Sequence, residues 1–301
     1  MQLDFHTLDV FTPSRFHGNP LAVVSGADVL DAAAMQAIAR EFNLSETVFV
    51  ARPANPAHTA RVRIFTPRRE LPFAGHPTIG TAAFLAYADH GDGAEREAIV
   101  TLEEEIGLIR AGVTITPGKP LHAAFDAPKL ATETGAPDRR EDLAAAVGLM
   151  PGDIGFDNHR PTVFSAGVPY IFVPVRGLAA LSRAQPVESL WRRGRFAEIG
   201  AAYLYCRETR DPANSFAARM FSPEFGMIED PATGSAAAAF AGVAARFEAL
   251  GGQRRVLAIE QGFDMGRPSL ISLEMELVAG RLERVRIGGH CVIVSKGALT
   301  V

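Results

Sequence analysis

The chain has 301 residues, of which 48% are hydrophobic and 21% charged, and its formal net charge at pH 7 is −4. This length is enough to bury a large core in one or two domains, and the composition is that of an ordinary globular protein. The acidic balance lacks the basic footprint of proteins that bind nucleic acids or anionic membranes, so we expect neither partner.

The first residues and the longest apolar run argue against export and against a membrane span. Asp4 and Asp9 stand where a signal peptide would carry basic residues. The longest apolar run, residues 235–245, is shorter than the ~20 residues that a bilayer span needs. The two cysteines, Cys206 and Cys291, have no metal-type spacing, and the histidines are scattered. We therefore predict a cytoplasmic protein without a metal site.

The first part of the chain alternates between strand-like and helix-like stretches. Residues 3–11 and 21–24 are predicted to be paired strands around a loop. Residues 31–42 have the apolar spacing of a helix, with Asp28 or Asp31 as its cap. Further strands are predicted at 47–51, 60–65, 99–102 and 108–115, and a helix of small residues at 78–88.

The second part repeats this order after a candidate linker at residues 117–120. It contains a predicted helix near 188–199, strands at 202–205 and 216–221, and a helix over 232–250. The last helix is apolar on every side, which is typical of a helix buried in a core. The glycine-rich fingerprints of nucleotide-binding βαβ folds are missing from the sequence.

An internal repeat gives the clearest indication of the fold. The matched stretches, in the same order and at nearly one offset, are 18–24 with 167–173, 63–67 with 219–223, and 76–83 with 230–237. They predict an α+β fold of two pseudo-symmetric lobes, each a curved, mostly antiparallel sheet around a central helix. We place the first lobe at residues 1–116 and the second at 120–285. The tail, 286–301, has no repeat partner, and we expect it to pack on the first lobe.

One of these matches has the composition of a helix start in both copies. Residues 76–81 and 230–235 each have His or Asp, then Pro-x-x-Gly, then Thr or Ser. Proline suits the first turn of a helix, glycine lets a ligand approach the backbone, and the first N–H groups of a helix attract anions. Helix packing alone would explain one copy. Two copies, each with an ionisable residue before the proline, predict a cleft between the lobes that binds a carboxylate.

Four motifs together resemble those of the PhzF family of phenazine-biosynthesis isomerases. They are Ser45-Glu46-Thr47-Val48-Phe49, Phe73-Ala74-Gly75-His76-Pro77-Thr78, Glu229-Asp230-Pro231-Ala232-Thr233-Gly234-Ser235-Ala236, and Gln261-Gly262 with Gly266-Arg267-Pro268-Ser269. The resemblance covers nearly the whole chain and implies a diaminopimelate-epimerase-like fold with its active site between two lobes. It also implies a homodimer that uses no cofactor. The family's namesake isomerises trans-2,3-dihydro-3-hydroxyanthranilate.

The resemblance also implies roles for particular residues. Glu46 matches the family's catalytic acid/base, and Asp230 and His76 are the other catalytic candidates. The candidates for substrate binding are Ser235, Gly234, Gly75, Thr233 and Asn19. The related epimerases use one cysteine per lobe beside the helix starts. Here those positions hold Ala74 or His76 and Asp230, which disfavours a two-thiol racemase.

The residues around Glu46 and the internal repeat also make it the strongest catalytic candidate, without the resemblance. An isolated glutamate between a helix and a strand is usually a solvated charge, but the flanking Val48 and Phe49 are apolar and favour burial. The repeat places Ala201 opposite Glu46, so the acid is not duplicated. A single acid fits a reaction in which one group removes a proton from a carbon and returns it to another carbon on the same face.

The remaining candidates each have a structural alternative. His76 and Asp230 would otherwise be a satisfied buried histidine and a helix cap. Asn19 would otherwise form a turn, and Ser235 would otherwise satisfy its own helix start.

Two groups of charged residues are expected to have no part in the site. Arg63 and Arg219 recur in both lobes, so we expect them to tie strands together. The three glutamates at 103–105 are expected to be a solvated charge run.

Three hypotheses of function follow. The main one is a cofactor-independent isomerase that binds a small carboxylate at the helix starts, in which Glu46 moves a proton and Asp230 and His76 hold polar substituents. The second is an epimerase or racemase of a small amino or hydroxy acid, with Asp230 as the second base. The third is a non-catalytic binder of small carboxylates.

Overall fold

The computed structural model describes residues 1–223, 227–248 and 254–301, and it is α+β, as predicted. The chain divides into two compact units, the first formed by Met1–Asp126 with Gly288–Val301 and the second by Ala127–Ile287. The chain leaves the first unit after Asp126. The predicted linker instead forms a turn within that unit, closed by Lys119 N, which donates to Thr116 O at 3.0 Å.

The first unit consists of ten elements followed by the end of the last strand of the chain. They are β1 (Gln2–Val10), β2 (Asn19–Ser25), α1 (Ala32–Phe42), β3 (Glu46–Ala51), β4 (Ala60–Phe65), β5 (Glu70–Leu71), α2 (Gly75–His90), β6 (Arg96–Glu104), β7 (Gly107–Ile115) and β8 (Leu121–Asp126). Asp31 caps α1, since its Oδ1 accepts a hydrogen bond from Ala34 N at 2.8 Å, which confirms one of the two predicted caps.

The second unit contains the remaining elements of the described chain. They are β9 (Thr132–Glu133), α3 (Arg140–Ala146), β10 (Thr162–Ser165), β11 (Pro169–Pro174), α4 (Leu178–Arg183), α5 (Glu188–Trp191), α6 (Gly194–Ile199), β12 (Ala202–Cys206), β13 (Phe216–Ser222), β14 (Met227–Asp230), α7 (Gly234–Phe247), β15 (Arg254–Gln261), β16 (Ser269–Val278) and β17 (Arg281–Thr300). The last strand continues into the first unit from Gly288.

Two predicted helices of the second unit differ in extent. The helix expected near 188–199 is two short helices, because Gly194 adopts a left-handed conformation, with φ of 55°, at the start of α6. The helix expected over 232–250 is α7, which ends at Phe247, while residues 249 and 250 lie outside the described residues.

The strands of the two units pair in the same succession. In the first unit β1–β2 is antiparallel, β2–β3 parallel, β3–β4 antiparallel, β4–β6 parallel and β6–β7 antiparallel. In the second unit β10–β11, β11–β12, β12–β13, β13–β15 and β15–β16 have the same five senses. The first unit adds β17, which pairs antiparallel with β1 from Gln2 opposite Thr300 to Val10 opposite Cys291.

Each unit has one long helix that is buried on nearly all sides. In α2, Gly80 permits close packing, since a Cβ atom there would lie 2.5 Å from Leu21 and 2.7 Å from Val10. In α7, Phe240 is fully buried, and its ring packs on Tyr205 and Phe216 at centroid distances of 4.8 and 5.1 Å. Within the described part of the chain, none of the helices is long and apolar enough to cross a membrane.

Candidate active site

Glu46 is the first residue of β3 and lies in the interior of the first unit. Asn43 ends the preceding helix in a left-handed conformation, with φ of 51°, which turns the chain towards β3. β3 runs parallel to β2, and this pairing places Glu46 beside Leu21. Only 8% of the surface of Glu46 is exposed. The acid is therefore buried rather than solvated.

His76 and Asn19 lie next to Glu46. Asn19 is the first residue of β2, His76 lies in the first turn of α2, and both are buried. Asn19 Nδ2 lies within hydrogen-bond distance of His76 Nδ1, at 3.2 Å, and the same ring nitrogen lies 3.5 Å from Glu46 Oε2. The first unit thus brings three of the predicted site residues together.

Burial determines the charge of His76. Desolvation lowers its pKa to about 3, with the backbone of Pro20 acting in the opposite direction. The imidazole is therefore neutral near pH 7, and its contact with Glu46 is not an ion pair. The other ring nitrogen, Nε2, meets no hydrogen-bond partner among the described residues. This buried ring nitrogen is available to a ligand, as a donor or as an acceptor according to the tautomer.

Gly75 begins α2 and is buried. The residue before it, Ala74, has no side chain that could cap the first turn, and Pro77 has no N–H. The backbone N–H groups of Gly75 and His76 therefore point along the positive end of the helix dipole without a side-chain cap. This is the local arrangement that we predicted for binding an anion.

In the second unit Asp230 lies in a network with Thr233 and Gln261. Asp230 ends β14 and is 4% exposed. Thr233 Oγ1 donates to Asp230 Oδ2 at 2.5 Å, and Gln261 Nε2 donates to Thr233 Oγ1 at 3.0 Å and to Asp230 O at 2.8 Å. Thr233 N donates back to Gln261 Oε1 at 3.2 Å. Asp230 is thus fixed by two neighbours, and Gln261 is a residue to which sequence analysis assigned no role.

The start of α7 carries the other predicted binding residues of the second unit. Gly234 is the first residue of α7, and the hydroxyl of the next residue, Ser235, lies 2.7 Å from Tyr170 OH. Sequence analysis missed Tyr170, although it stands where the repeat has Leu21, and a polar residue opposite an apolar one was a usable signal.

Tyr203 is a second tyrosine that sequence analysis missed. It is fully buried on β12, and its hydroxyl meets no partner among the residues that the structure describes. Burial raises the pKa of Tyr203 well above its ordinary value, and Tyr170 and Asp230 add to this effect. Its side chain therefore remains a neutral phenol.

The predicted correspondence of the two helix starts is wrong by a few residues. His76 and Pro77 lie inside the first turn of α2, whereas Asp230 and Pro231 precede α7. The stretch that matches residues 231–234 is residues 72–75, which also has the form Pro-x-x-Gly and also ends at the first residue of its helix. The register was ambiguous because the first lobe contains this pattern twice. In the structural register Ser235, rather than Asp230, corresponds to His76.

The correspondence of Glu46 with Ala201 agrees with the strand register. Thr47 pairs with Phe65 in the first unit, and Ala202 pairs with Phe221 in the second. Ala201, which is 1% exposed, therefore stands where the first unit has Glu46. The acid occurs in one unit only.

The expected solvated charge run at residues 103–105 is wrong for two of its three members. Glu103 accepts hydrogen bonds from Ala54 N at 2.8 Å and Asn55 N at 2.9 Å, and Glu104 is only 8% exposed. Along β6, Val100, Leu102 and Glu104 share the inward face. This alternation was visible in the sequence and would have predicted the burial of Glu104.

The recurring arginines are structural, as predicted. Arg63 donates to Glu70 through Nε and Nη2, both at 2.6 Å. Arg219 binds Glu229 in the same two-pronged way, at 2.8 and 2.7 Å. Each pair joins two neighbouring strands within its own unit.

The two cysteines are not suited to acid/base chemistry. Cys206 and Cys291 are buried in strands, and burial raises the pKa of each thiol to about 12. Their thiolates are therefore scarce near neutral pH, in line with the prediction against a two-thiol racemase.

Two other features of the described residues add nothing to the site. Groups of three or more His, Cys, Asp or Glu residues that could hold a metal ion do not occur in residues 1–223, 227–248 and 254–301. A cavity of about 550 Å³ in the second unit is lined by Arg207, Phe216 and Glu248 among others, and contains none of the predicted site residues. Arg207 and Glu248 bind each other there at 2.6 Å.

Comparison with known proteins gives consistent matches over the whole chain. The profile of the phenazine biosynthesis-like protein family, PhzC-PhzF, matches residues 8–297. The chain is 48% identical over 298 residues to an uncharacterized isomerase of Mesorhizobium japonicum, with 97% of each chain covered. It is 36% identical to the trans-2,3-dihydro-3-hydroxyanthranilate isomerase of Pseudomonas chlororaphis, with 98% of each chain covered.

Solved structures show the same relationship. A phenazine biosynthesis protein of the PhzF family from Bacillus anthracis superposes with a TM-score of 0.88 at 25% identity, with 100% of both chains covered. A hydroxyproline epimerase from Agrobacterium vitis has a TM-score of 0.67 at 15% identity, with 99% of this chain and 91% of the other covered, and so shares the fold.

Proposed function

Because the chain belongs to the PhzC-PhzF family of phenazine biosynthesis-like proteins and is an isomerase, we propose that it moves a proton between two carbons of a small carboxylate substrate without a cofactor. The observation that carries this proposal is the buried Glu46 beside a neutral His76, with Ala201 in place of a second acid. One buried acid is what a proton shift on a single face requires.

In the proposed mechanism Glu46 acts first as a base and then as an acid. The Glu46 carboxylate removes a proton from an activated carbon and returns it to a conjugated carbon of the same molecule. No proton is gained or lost overall, so no second base is needed. The burial of Glu46 keeps water away from the proton while it is held, because exchange with solvent would compete with its return.

His76 supplies a neutral ring nitrogen for hydrogen bonding in this mechanism. Its Nε2 has no partner among the described residues, and the Asn19 amide contacts the ring on its other side, at Nδ1. We assign His76 to a polar substituent of the substrate or to charge that develops on it during proton transfer. Because the ring is neutral, it does not neutralise the Glu46 carboxylate.

We assign substrate binding to the two helix starts and to the Asp230 network. The uncapped N–H groups at Gly75 and the start of α7 at Gly234 suit a carboxylate. Asp230, held by Thr233, suits an amine or a hydroxyl group. Ser235, held by Tyr170, adds a further hydroxyl.

We propose trans-2,3-dihydro-3-hydroxyanthranilate as the first substrate to test. Relatives named after this reaction are 34–36% identical to the chain over nearly its whole length. The compound carries a carboxylate, an amine and a hydroxyl group, which are the three kinds of group that the assigned residues suit.

The test is NMR in D2O of the purified protein with this compound, beside Glu46→Gln. We expect substrate loss, with deuterium at the carbon that receives the proton only in those turnovers in which the proton held on Glu46 exchanges with solvent. Glu46→Gln is expected to be slower by about 10²–10⁴-fold, the usual contribution of acid/base catalysis. The matched control is Glu41→Gln, which removes an exposed acid near the end of α1 and should leave the rate unchanged.

The other outcomes are equally informative. Normal turnover by Glu46→Gln would show that another group moves the proton. Inversion of the substrate centre, with deuterium at that same carbon, would indicate the epimerase hypothesis. Saturable binding without any exchange of carbon-bound hydrogen would indicate the carboxylate binder.

We further propose that the two units are copies of one lobe. The proposal is supported by the shared succession of strand pairs and by the two-pronged Arg–Glu pairs. The homodimer and the cytoplasmic location stay predictions.

A further inference from the structure

The hydroxyl group of Thr78 has two short contacts but only one proton. In the second turn of α2, Thr78 Oγ1 lies 2.8 Å from Ala74 O and 2.7 Å from Glu104 Oε1. A threonine hydroxyl donates one hydrogen bond, and a backbone carbonyl can only accept. If Glu104 were ionised, one of these two oxygen–oxygen contacts would contain no hydrogen. Both contacts are satisfied when the carboxyl group carries a proton.

The burial of Glu104 also favours the protonated form. The residue is 8% exposed, and its Oε2 meets no hydrogen-bond partner in the described parts of the chain. A charged oxygen without a donor is far more costly in an interior than the carbonyl oxygen of a neutral acid. Desolvation raises the pKa of Glu104 to about 8, while the Thr78 hydroxyl acts in the opposite direction.

The second unit has a neutral side chain in the corresponding place. Glu104 follows Glu103, and Gln261 follows Glu260 at the end of β15. Glu103 and Glu260 each accept hydrogen bonds from two successive backbone N–H groups of a loop, at 2.8–2.9 Å. Gln261 Nε2 then donates to a threonine hydroxyl at the start of α7 at 3.0 Å. A glutamine side chain is neutral at every pH. A glutamic acid side chain matches it in charge only when the carboxyl group is protonated.

The charged groups around Glu104 leave this assignment intact. On its own strand, Glu103 is bound by a loop, and the next residue, Glu105, is exposed. On the packed elements, His76 of α2 is neutral, and Arg63 of β4 is bound by Glu70 of β5. Across the ladder, Glu104 pairs with Gly107 of β7.

We propose that Glu104 is a protonated carboxylic acid in the folded protein at neutral pH and acts as a positioning residue for α2. Its proton is donated to the Thr78 hydroxyl, which in turn donates to Ala74 O. This chain of two hydrogen bonds fixes the first turn of the helix, on which Gly75 and His76 lie. The catalytic part of the role rests on the proposed function of His76, whereas the charge state does not.

Carboxyl-carbon NMR of protein labelled at glutamate tests the charge state directly. We expect one resonance that titrates near pH 8 and that is missing in Glu104→Gln. If every glutamate resonance completes its titration below about pH 6, near the ordinary range for this side chain, the proposal is overturned.

The dependence of stability on pH gives a second, independent measurement. The folded state keeps the Glu104 proton up to about pH 8, while the unfolded chain loses it near the ordinary value of 4.5. Stability from Glu104 is thus complete below about pH 4.5 and decreases as pH rises to about 8. Relative to Glu104→Gln, the folding equilibrium constant of the natural protein should fall about tenfold per pH unit between these limits. A ratio that does not change with pH would contradict the proposal.

Two variants serve as controls for this measurement. Glu103→Gln changes the adjacent acid, whose pKa is lowered to about 2 by hydrogen bonds from Asn55 N and Ala54 N. The stability that Glu103 contributes is present above the ordinary pKa of 4.5 and disappears as pH falls through about 2. The stability difference between Glu103→Gln and the natural protein should therefore not change between pH 5 and 8. Gln261→Glu places an acid in the neutral position of the second unit. As pH rises from about 4.5 to about 8, this variant should lose stability relative to the natural protein, whereas Glu104→Gln should gain stability relative to it.

Activity then separates positioning from mere stability. Glu104→Gln should keep its turnover above pH 8, where the natural protein loses turnover reversibly while it remains folded. Glu104→Ala should lose turnover at every pH. If Glu104→Gln and the natural protein have the same upper pH limit, Glu104 has no positioning role. If neither turns over the chosen substrate, the NMR and stability measurements still decide the charge state.

Discussion

Burial, rather than contact with an opposite charge, determines the protonation state of several side chains of the first unit. Desolvation is the largest cause for His76, for Glu104 and for Cys291. A histidine so affected becomes neutral, a carboxyl group keeps its proton, and a thiol stays protonated. Near Glu46 the polar neighbours are therefore neutral hydrogen-bonding groups, Asn19 and His76. Such an environment can orient a substrate without fixing the charge of the acid that reacts.

The neutral state of His76 can be tested by NMR. We expect the ring resonances of His76 to stay constant between pH 5 and 8, because burial lowers its pKa to about 3. The signals are assigned as those missing in His76→Asn, with His90→Asn, at the exposed end of the same helix, as the matched control. A midpoint near 6.5 would show that the ring is charged in the acidic part of this range.

The lowered pKa of His76 also affects the folding stability of the protein in acid. The unfolded chain takes up a proton on His76 below about pH 6.5, whereas the folded protein does so only near pH 3. Folding stability therefore decreases as pH falls from about 6.5 to about 3, and His76→Asn should be free of this part of the decrease.

Between neighbouring elements, one glutamate in each unit binds a loop that leads into the central strands. In the first unit, Glu103 of β6 binds the β3–β4 loop, and in the second unit Glu260 of β15 binds the β12–β13 loop. Glu260 is 1% exposed and also accepts from Asn214 Nδ2 at 2.8 Å. Each loop needs an acceptor for its N–H groups, because these would otherwise be left without partners.

Replacement of Glu260 should therefore be costly. We expect Glu260→Gln to lower the free energy of unfolding by about 1–3 kcal/mol, the usual cost of leaving a buried donor unsatisfied. Chemical denaturation at pH 7 measures this. The matched control is Glu276→Gln on β16, where the acid is partly exposed beside Arg284, and a change below about 0.5 kcal/mol is expected. Equal effects in both variants would mean that the loop does not depend on Glu260.

The sequence was sufficient for most helices and strands of the first unit, but it missed elements such as β8 and α3 and did not determine every register. Alternating apolar residues predicted the strands, and Asp31 was among the predicted caps of α1. The match of Glu46 with Ala201 was also correct, since it follows from strands whose apolar faces allow one register. The helix starts were misaligned because Pro-x-x-Gly occurs at both 72–75 and 77–80, and local pattern does not distinguish them. Contacts such as Tyr170 with Ser235 depend on tertiary packing, which the local pattern does not contain.

For the whole molecule, the path of the chain determines which parts can fold alone. The second unit is continuous, whereas the first is made of residues 1–126 and 288–301. β1 pairs along its whole length with the end of β17. A first unit without residues 288–301 therefore retains the pairing of β1 with β2 but lacks its pairing with β17, and an open strand edge is a site of aggregation.

Separate expression of the parts tests this dependence. We expect residues 127–287 to fold alone, and residues 1–126 to fold only when residues 288–301 are attached through a short glycine-serine linker. The linker is feasible because a Cβ atom at Gly288 would lie 2.9 Å from Ala124. Dispersion of amide resonances and cooperative thermal unfolding are the measurements. A cooperative transition of residues 1–126 alone would show that the last strand is not required.

The pairing of β1 with the end of β17 also determines the order of events on the ribosome. β1 is made first, but its partner strand, up to Thr300, is made only after the whole second unit. At ~5–20 residues per second, the nascent β1 waits on the order of tens of seconds for that partner. The second unit emerges during this interval and can complete its fold. The first unit closes last, so one edge of nascent β1 stays open to unwanted strand pairing throughout this interval.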